Sequence, residues 1–127
     1  GLKPDGTKWL TGLTNPDKTS TTYAAKLNLG ETACVTSGNY ERYYTVNGVN
    51  YHHIIDPDTL MPSAYFSSVT IITEDSGLAD ALSTALFCMS YEEGRALLES
   101  LAVTVDVIWI DNDYKLSATE GIELVNN

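Results

Sequence analysis

The sequence is short of basic residues, of cysteine and of long apolar runs, and each shortage closes off a class of protein. Seven Lys and Arg stand against 17 Asp and Glu, a formal net charge of −10 over 127 residues. The basic residues are scattered along the chain, so no basic patch reverses a field that repels phosphate backbones, and nucleic acid is not an expected partner. No run approaches the roughly 18 consecutive apolar residues of a membrane-spanning helix, so no transmembrane segment is expected in this chain. Gly1 to Gly6 lack the basic start and apolar run of a signal peptide; if the protein is exported, its signal lies outside these residues. The two cysteines, Cys34 and Cys88, sit in Ala-Cys-Val and Phe-Cys-Met contexts. They are expected to be unpaired core thiols, since their separation suggests neither a zinc site nor a redox pair.

What remains is ordinary material for one soluble domain, 43% apolar and long enough to bury a core. Strands are predicted at Trp9 to Leu13, Tyr23 to Leu29, Ala33 to Thr36, Tyr40 to Val46, Val49 to Ile55, Ser68 to Thr73, Val103 to Trp109 and Tyr114 to Ser117. Ser37-Gly38-Asn39 reads as a turn, and so does Asp111-Asn112-Asp113. Asn47-Gly48 is a strong hairpin signal, because both central residues of a type I′ turn need positive φ. Asp75 or Ser76 is positioned to cap a helix whose apolar stripe is Leu78, Ala81, Leu82, Ala85, Leu86 and Met89. Ser90 and Glu93 have capping-box spacing for a second helix, Tyr91 to Leu101, with Ala96, Leu97 and Leu101 on its apolar face. The expected class is α+β, a mostly antiparallel sheet with two helices packed on it.

Four places combine polar groups with a constrained backbone, of which Asp111-Asn112-Asp113 resembles a fragment of a calcium loop but lacks its Gly and terminal Glu and reads as a turn. Thr36-Ser37-Gly38-Asn39 sets hydroxyls and main-chain N–H groups at a strand end, where a phosphate or nucleotide edge would fit; an ordinary turn accounts for the same residues. The two-residue Asn47-Gly48 loop sets a register in which Val46 faces Val49, Tyr44 faces Tyr51 and Arg42 faces His53. His53 then lies on one face of the hairpin, and His52 lies on the other beside Tyr43, with local packing as its only task. A pair of surface histidines on a solvated strand is the alternative. Asp80 and Thr84 are one helical turn apart, roughly opposite the Leu78/Leu82/Leu86 stripe. They offer two hard oxygen ligands for Mg²⁺, and a plain polar helix face explains them equally.

Taken in order, Ala33-Cys34-Val35-Thr36-Ser37-Gly38-Asn39-Tyr40-Glu41-Arg42, Tyr51-His52-His53-Ile54-Ile55-Asp56-Pro57, Ser68-Val69-Thr70-Ile71-Ile72 and Leu78-Ala79-Asp80-Ala81-Leu82-Ser83-Thr84-Ala85-Leu86-Phe87 resemble the C-terminal half of the ApbE family of FAD:protein FMN transferases. The resemblance spans nearly the whole chain. Asn39 stands where the family commonly has Asp, and Asp58-Thr59-Leu60-Met61-Pro62 departs from a loop that usually carries a Gly.

The resemblance implies an enzyme that takes FAD as substrate and, with Mg²⁺, transfers FMN to a Thr or Ser of an acceptor flavoprotein. It implies that Asp80 and Thr84 match the metal ligands, that His53 matches the important His at the FAD site, and that Thr36, Ser37 and Gly38 match a loop beside the flavin nucleotide. It also implies an extracytoplasmic protein, membrane-anchored through an N-terminal part with no counterpart here. Residues 1–127 are then a single C-terminal domain with an incomplete site. A non-catalytic flavin-binding or cell-surface interaction module is the alternative.

Overall fold

The computed structural model describes residues 1–125, and its order of elements is five strands, a sixth strand, two helices and two closing strands. They are β1 (Trp9–Leu13), β2 (Ala25–Leu29), β3 (Ala33–Gly38), β4 (Tyr43–Val46), β5 (Val49–His52), β6 (Ser68–Thr73), α1 (Ser76–Phe87), α2 (Tyr91–Ser100), β7 (Asp106–Ile110) and β8 (Leu116–Ala118). A four-stranded sheet runs β3-β6-β7-β8, and β1-β2 and β4-β5 form separate two-stranded sheets. Every strand pairing among the described residues is antiparallel, and both helices pack on the four-stranded sheet, so the class is α+β.

The sheet is covered on both faces. On one side Val69 and Ile71 of β6 and Val107 and Trp109 of β7 meet Ala79, Leu82, Leu86 and Phe87 of α1, with Leu97 and Leu98 of α2 at the margin. On the other, Ile108 and Ile110 meet Leu13 and Leu27 of the β1-β2 hairpin. This explains why β7 departs from the alternating strand expected from Val103 onward. With both faces buried, Val107-Ile108-Trp109-Ile110 is a continuous apolar run, and the strand starts only at Asp106, leaving Val103 exposed. The closing strand likewise starts late, at Leu116, because Tyr114 takes a positive φ of 63° in the preceding turn.

The helix boundaries follow their caps. The Asp75 carboxylate accepts from Leu78 N–H at 2.9 Å, so Asp75 rather than Ser76 is the N-cap of α1. Its buried residues are Ala79, Leu82, Ser83, Leu86 and Phe87, a stripe rotated from the expected one, and Ala81 is exposed. Alanines at 79, 81 and 85 made the phase ambiguous; the position of β3 and β6 under the helix resolves it. In α2 the capping box is complete, with Ser90 N–H donating to Glu93 Oε2 at 2.9 Å and Glu93 N–H to Ser90 Oγ at 3.3 Å. Leu101 is its C-cap, and Leu98 takes the inward position expected of Ala96, which is exposed.

Candidate active site

The Asn47-Gly48 turn forms as its residues demand, with φ of 50° and 80°, and the register of β4 on β5 pairs Val46 with Val49, Tyr44 with Tyr51 and Tyr43 with His52. The hairpin therefore shows its two faces to two different clefts. Arg42 and His53 line a cleft of about 730 Å³, whereas Tyr43, Asn50 and His52 line a separate one of about 380 Å³. Both strands are shorter than the sequence suggests. β5 stops at His52, where the chain turns toward an isolated bridge between Ile55 and Pro62.

The larger cleft brings together Thr36, Ser37 and Gly38 from β3, His53 after β5, and Asp80 and Thr84 from α1, whereas Asn39 lines the smaller one. Ser37 and Gly38 are not in a turn. They continue β3, opposite Val69 and Ser68 of β6, so the strand carries its hydroxyls right to the cleft wall. Gly38 has a steric reason: a Cβ there would lie 2.6 Å from Cε1 of Tyr40, whose ring also lines the cleft.

Hydroxyls tie β3 to α1. Ser83, fully buried, donates to the Asp80 carbonyl at 3.0 Å and therefore accepts from Ser37 Oγ at 2.8 Å. Thr84 Oγ1 lies 3.4 Å from both the Asp80 carbonyl and Ser37 Oγ. The Asp80 carboxylate itself has no hydrogen-bond or ion-pair partner among the described residues. Thr36 points to the sheet's other side, its Oγ1 2.8 Å from Thr70 Oγ1.

His53 is exposed, and its Nδ1 lies 3.4 Å from the main-chain oxygen of Arg42. A carbonyl only accepts, so in the neutral ring this contact places the proton on Nδ1 and leaves Nε2 with its lone pair. Tyr40, in the cleft wall, and Ser83, buried behind it, escaped the sequence reading. Tyr40 carries a hydroxyl whose pKa is raised by burial and further by the charge of Glu41. Ser83 had only its adjacency to Thr84 as a signal. Cys34 also lines the cleft, but burial raises its thiol pKa, so it is a poor nucleophile. Cys88 is raised as well, by burial and the nearby Asp56 charge, partly offset by Ser63; both cysteines are free and half-buried.

Among the described residues no group of three or more His, Cys, Asp or Glu is arranged to hold a metal ion. The donors that α1 offers to a cation in the cleft are the Asp80 carboxylate, unpartnered among the described residues, and the Thr84 hydroxyl. Two hard oxygens on an open helix face suit a dication that keeps much of its water and takes further oxygens from a substrate. No helix among the described residues is long and apolar enough to cross a membrane.

An antiparallel α+β domain with one polar, open cleft at the junction of helix, sheet and hairpin is the class these observations define. Residues 1–109 match the ApbE family, and the chain belongs to that family. It is 40% identical over 116 residues to the FAD:protein FMN transferase of Treponema pallidum, covering 91% of this chain and 32% of that protein. It is 32% identical over 125 residues to the FAD:protein FMN transferase of Vibrio cholerae, covering 97% of this chain and 37% of that protein. The crystal structure of the ApbE protein from Thermotoga maritima superposes with a TM-score of 0.83 at 36% identity, over 94% of this chain and 38% of that one. The chain thus spans about a third of the length of the curated relatives it matches.

Proposed function

We propose that the full-length protein carrying this chain transfers FMN from FAD to a Thr or Ser hydroxyl of a partner flavoprotein, in a reaction that depends on Mg²⁺. The observation behind this reading is the gathering of Thr36, Ser37, Gly38, His53, Asp80 and Thr84 around one cleft in a chain of this family. In the reaction the acceptor oxygen forms a bond to the FMN phosphorus, the pyrophosphate P–O bond breaks, AMP departs, and the hydroxyl proton is released.

Each part of the cleft has a task in that scheme. Asp80 and Thr84 would hold Mg²⁺, which supplies charge neutralisation at the pyrophosphate. Ser37 and Ser83 fix α1 against β3, so the Asp80 and Thr84 oxygens keep their place relative to the strand end at Gly38. His53, with Nε2 unprotonated, accepts the proton of the incoming hydroxyl. The strand end from Thr36 to Gly38 lies beside the flavin nucleotide. The same reading puts the protein outside the cytoplasmic membrane, anchored through a part beyond these residues; digestion by protease added to spheroplasts tests that assignment.

The activity is tested by incubating the full-length protein with FAD, Mg²⁺ and a candidate acceptor flavoprotein. The expected result is a mass gain of one FMN on the acceptor, abolished by chelation and restored by Mg²⁺. FAD binding with no transfer to any acceptor would favour a non-catalytic flavin-binding module, and transfer insensitive to chelation would remove the metal role of Asp80 and Thr84.

A further inference from the structure

His52 turns away from the cleft, yet it is buried at 8% exposure, and both of its ring nitrogens are engaged. Ile54 N–H donates to Nδ1 at 3.3 Å. An acceptor at Nδ1 leaves the proton on Nε2, which donates to the Ser63 carbonyl at 2.8 Å. Ser63 is 4% exposed and carries the connection onward, its hydroxyl donating to the carbonyl of Phe87, the last residue of α1, at 2.6 Å. Ser63 N–H closes the circuit by donating to the Ile54 carbonyl at 3.0 Å. The His52 ring also stands edge-on to the Phe87 ring, 5.5 Å between centroids at 83°.

From this network we infer that His52 is a positioning residue, one that holds the backbone bearing His53 in place against the helix bearing Asp80 and Thr84. The inference rests on the transferase reading for its functional consequence and on geometry alone for its structural one. His53 is exposed, and among the described residues the long contact to Arg42 is the one hydrogen bond of its side chain. Its place is therefore set by its neighbours in the chain, and both of them, His52 and Ile54, belong to the buried circuit. Imidazole suits the task because a rigid ring presents an acceptor and a donor on separate edges at once. One edge holds the turn between His52 and Ile54, and the other reaches across to the segment that fastens the end of α1.

Two variants of the full-length protein test this. His52→Leu removes both hydrogen bonds at similar bulk, while His52→Gln keeps an amide donor able to reach the Ser63 carbonyl. The expected result for His52→Leu is a fall in kcat for FMN transfer of about tenfold or more with KM for FAD changed less than about threefold, and His52→Gln recovers most of the loss. Unchanged kcat per folded molecule in both variants would overturn the inference and leave His52 a packing residue. If His52→Leu does not fold, His52→Phe, a planar ring with neither donor nor acceptor, takes its place, and an unchanged kcat in it overturns the inference in the same way. A second readout does not need turnover: the His53 imidazole resonances are expected to shift in the variants while amide signals of β1 and β2 stay put. Unmoved His53 resonances overturn the positioning role. A wild-type protein that transfers no FMN overturns the transferase reading instead, and the resonance comparison still decides the placement of His53.

Discussion

The β4-β5 hairpin and the β6-β7 pair are both antiparallel ladders, but their side chains meet opposite surroundings. In β6 and β7, Val69, Ile71, Val107 and Ile108 are fully buried, whereas Tyr44, Val46 and Val49 of the hairpin are each close to half or more exposed. The buried pair takes its register from the two cores it separates, since a one-residue slip would exchange every contact. The hairpin has no such core. Its register comes from the positive φ of Asn47 and Gly48, the stacked rings of Tyr44 and Tyr51 at 5.6 Å, and the Thr45 hydroxyl donating to Asn50 Oδ1 at 2.7 Å. Turn residues thus set the register of the hairpin near its tip, and burial takes over only at its base, at His52.

This contrast is open to measurement, and the largest effect belongs to the buried ladder. Ile71→Ala should cost about 2–5 kcal/mol of stability in denaturant unfolding, while Tyr44→Ala should cost about 0.2–1 kcal/mol. Equal costs would dissolve the distinction between the two ladders. Next come the cleft substitutions. His53→Ala and Asp80→Ala in the full-length protein are each expected to lower FMN transfer by about 100-fold or more, about 2.7 kcal/mol, with little change in melting temperature. Wild-type activity in Asp80→Ala would return Asp80 and Thr84 to the role of a polar helix face.

Gly48→Val probes the turn itself. A β-branched residue at φ of 80° should destabilise the hairpin by about 1–2 kcal/mol, and amide exchange should report it in β4 and β5 while β6 and β7 keep their protection. The smallest effect lies at the start of α2. The Ser90 hydroxyl and Ser90 N–H bond the Glu93 carboxylate and lower its pKa below the ordinary value. A depressed folded-state pKa means the stabilisation is present above the unfolded pKa and is lost as pH falls through the folded one. Glu93→Gln should therefore flatten the acid side of the stability profile, with its small loss of stability seen at neutral pH and vanishing below the usual carboxylate range, where the wild-type carboxyl is protonated as well. A steeper acid limb in the variant would contradict the capping-box account.

Much of this was legible in residue order because local chemistry decides it. The Asn47-Gly48 turn, the hairpin register that separates His53 from His52, the capping box at Ser90 and the Asp80/Thr84 spacing are each set by residues within a few positions of one another. The misreadings were of another kind. Ser37-Gly38 looked like a turn because a Ser-Gly-Asn run favours one, but Val69 and Ser68 of β6 offered a ladder partner some thirty positions away. The stripe of α1 was misphased because alanine is indifferent to burial, and the side facing β3 and β6 settled the matter in favour of Ala79 and Ser83.

By itself, then, the amino-acid order determined the class of fold, the identity and spacing of the candidate ligands and the face on which each histidine lies, because turn dihedrals and strand alternation propagate only along the chain. Tertiary structure alone decided that three separated stretches share one cleft, that Ser83 fastens Ser37 to the Asp80 carbonyl, and that His52 is bonded at both ring nitrogens to Ile54 and Ser63. Those contacts join residues from 2 to 46 positions apart. Two of them, Ser37 with Ser83 and His52 with Ser63, join stretches whose mutual placement follows from burying apolar faces against one sheet, a property that no local window of sequence contains.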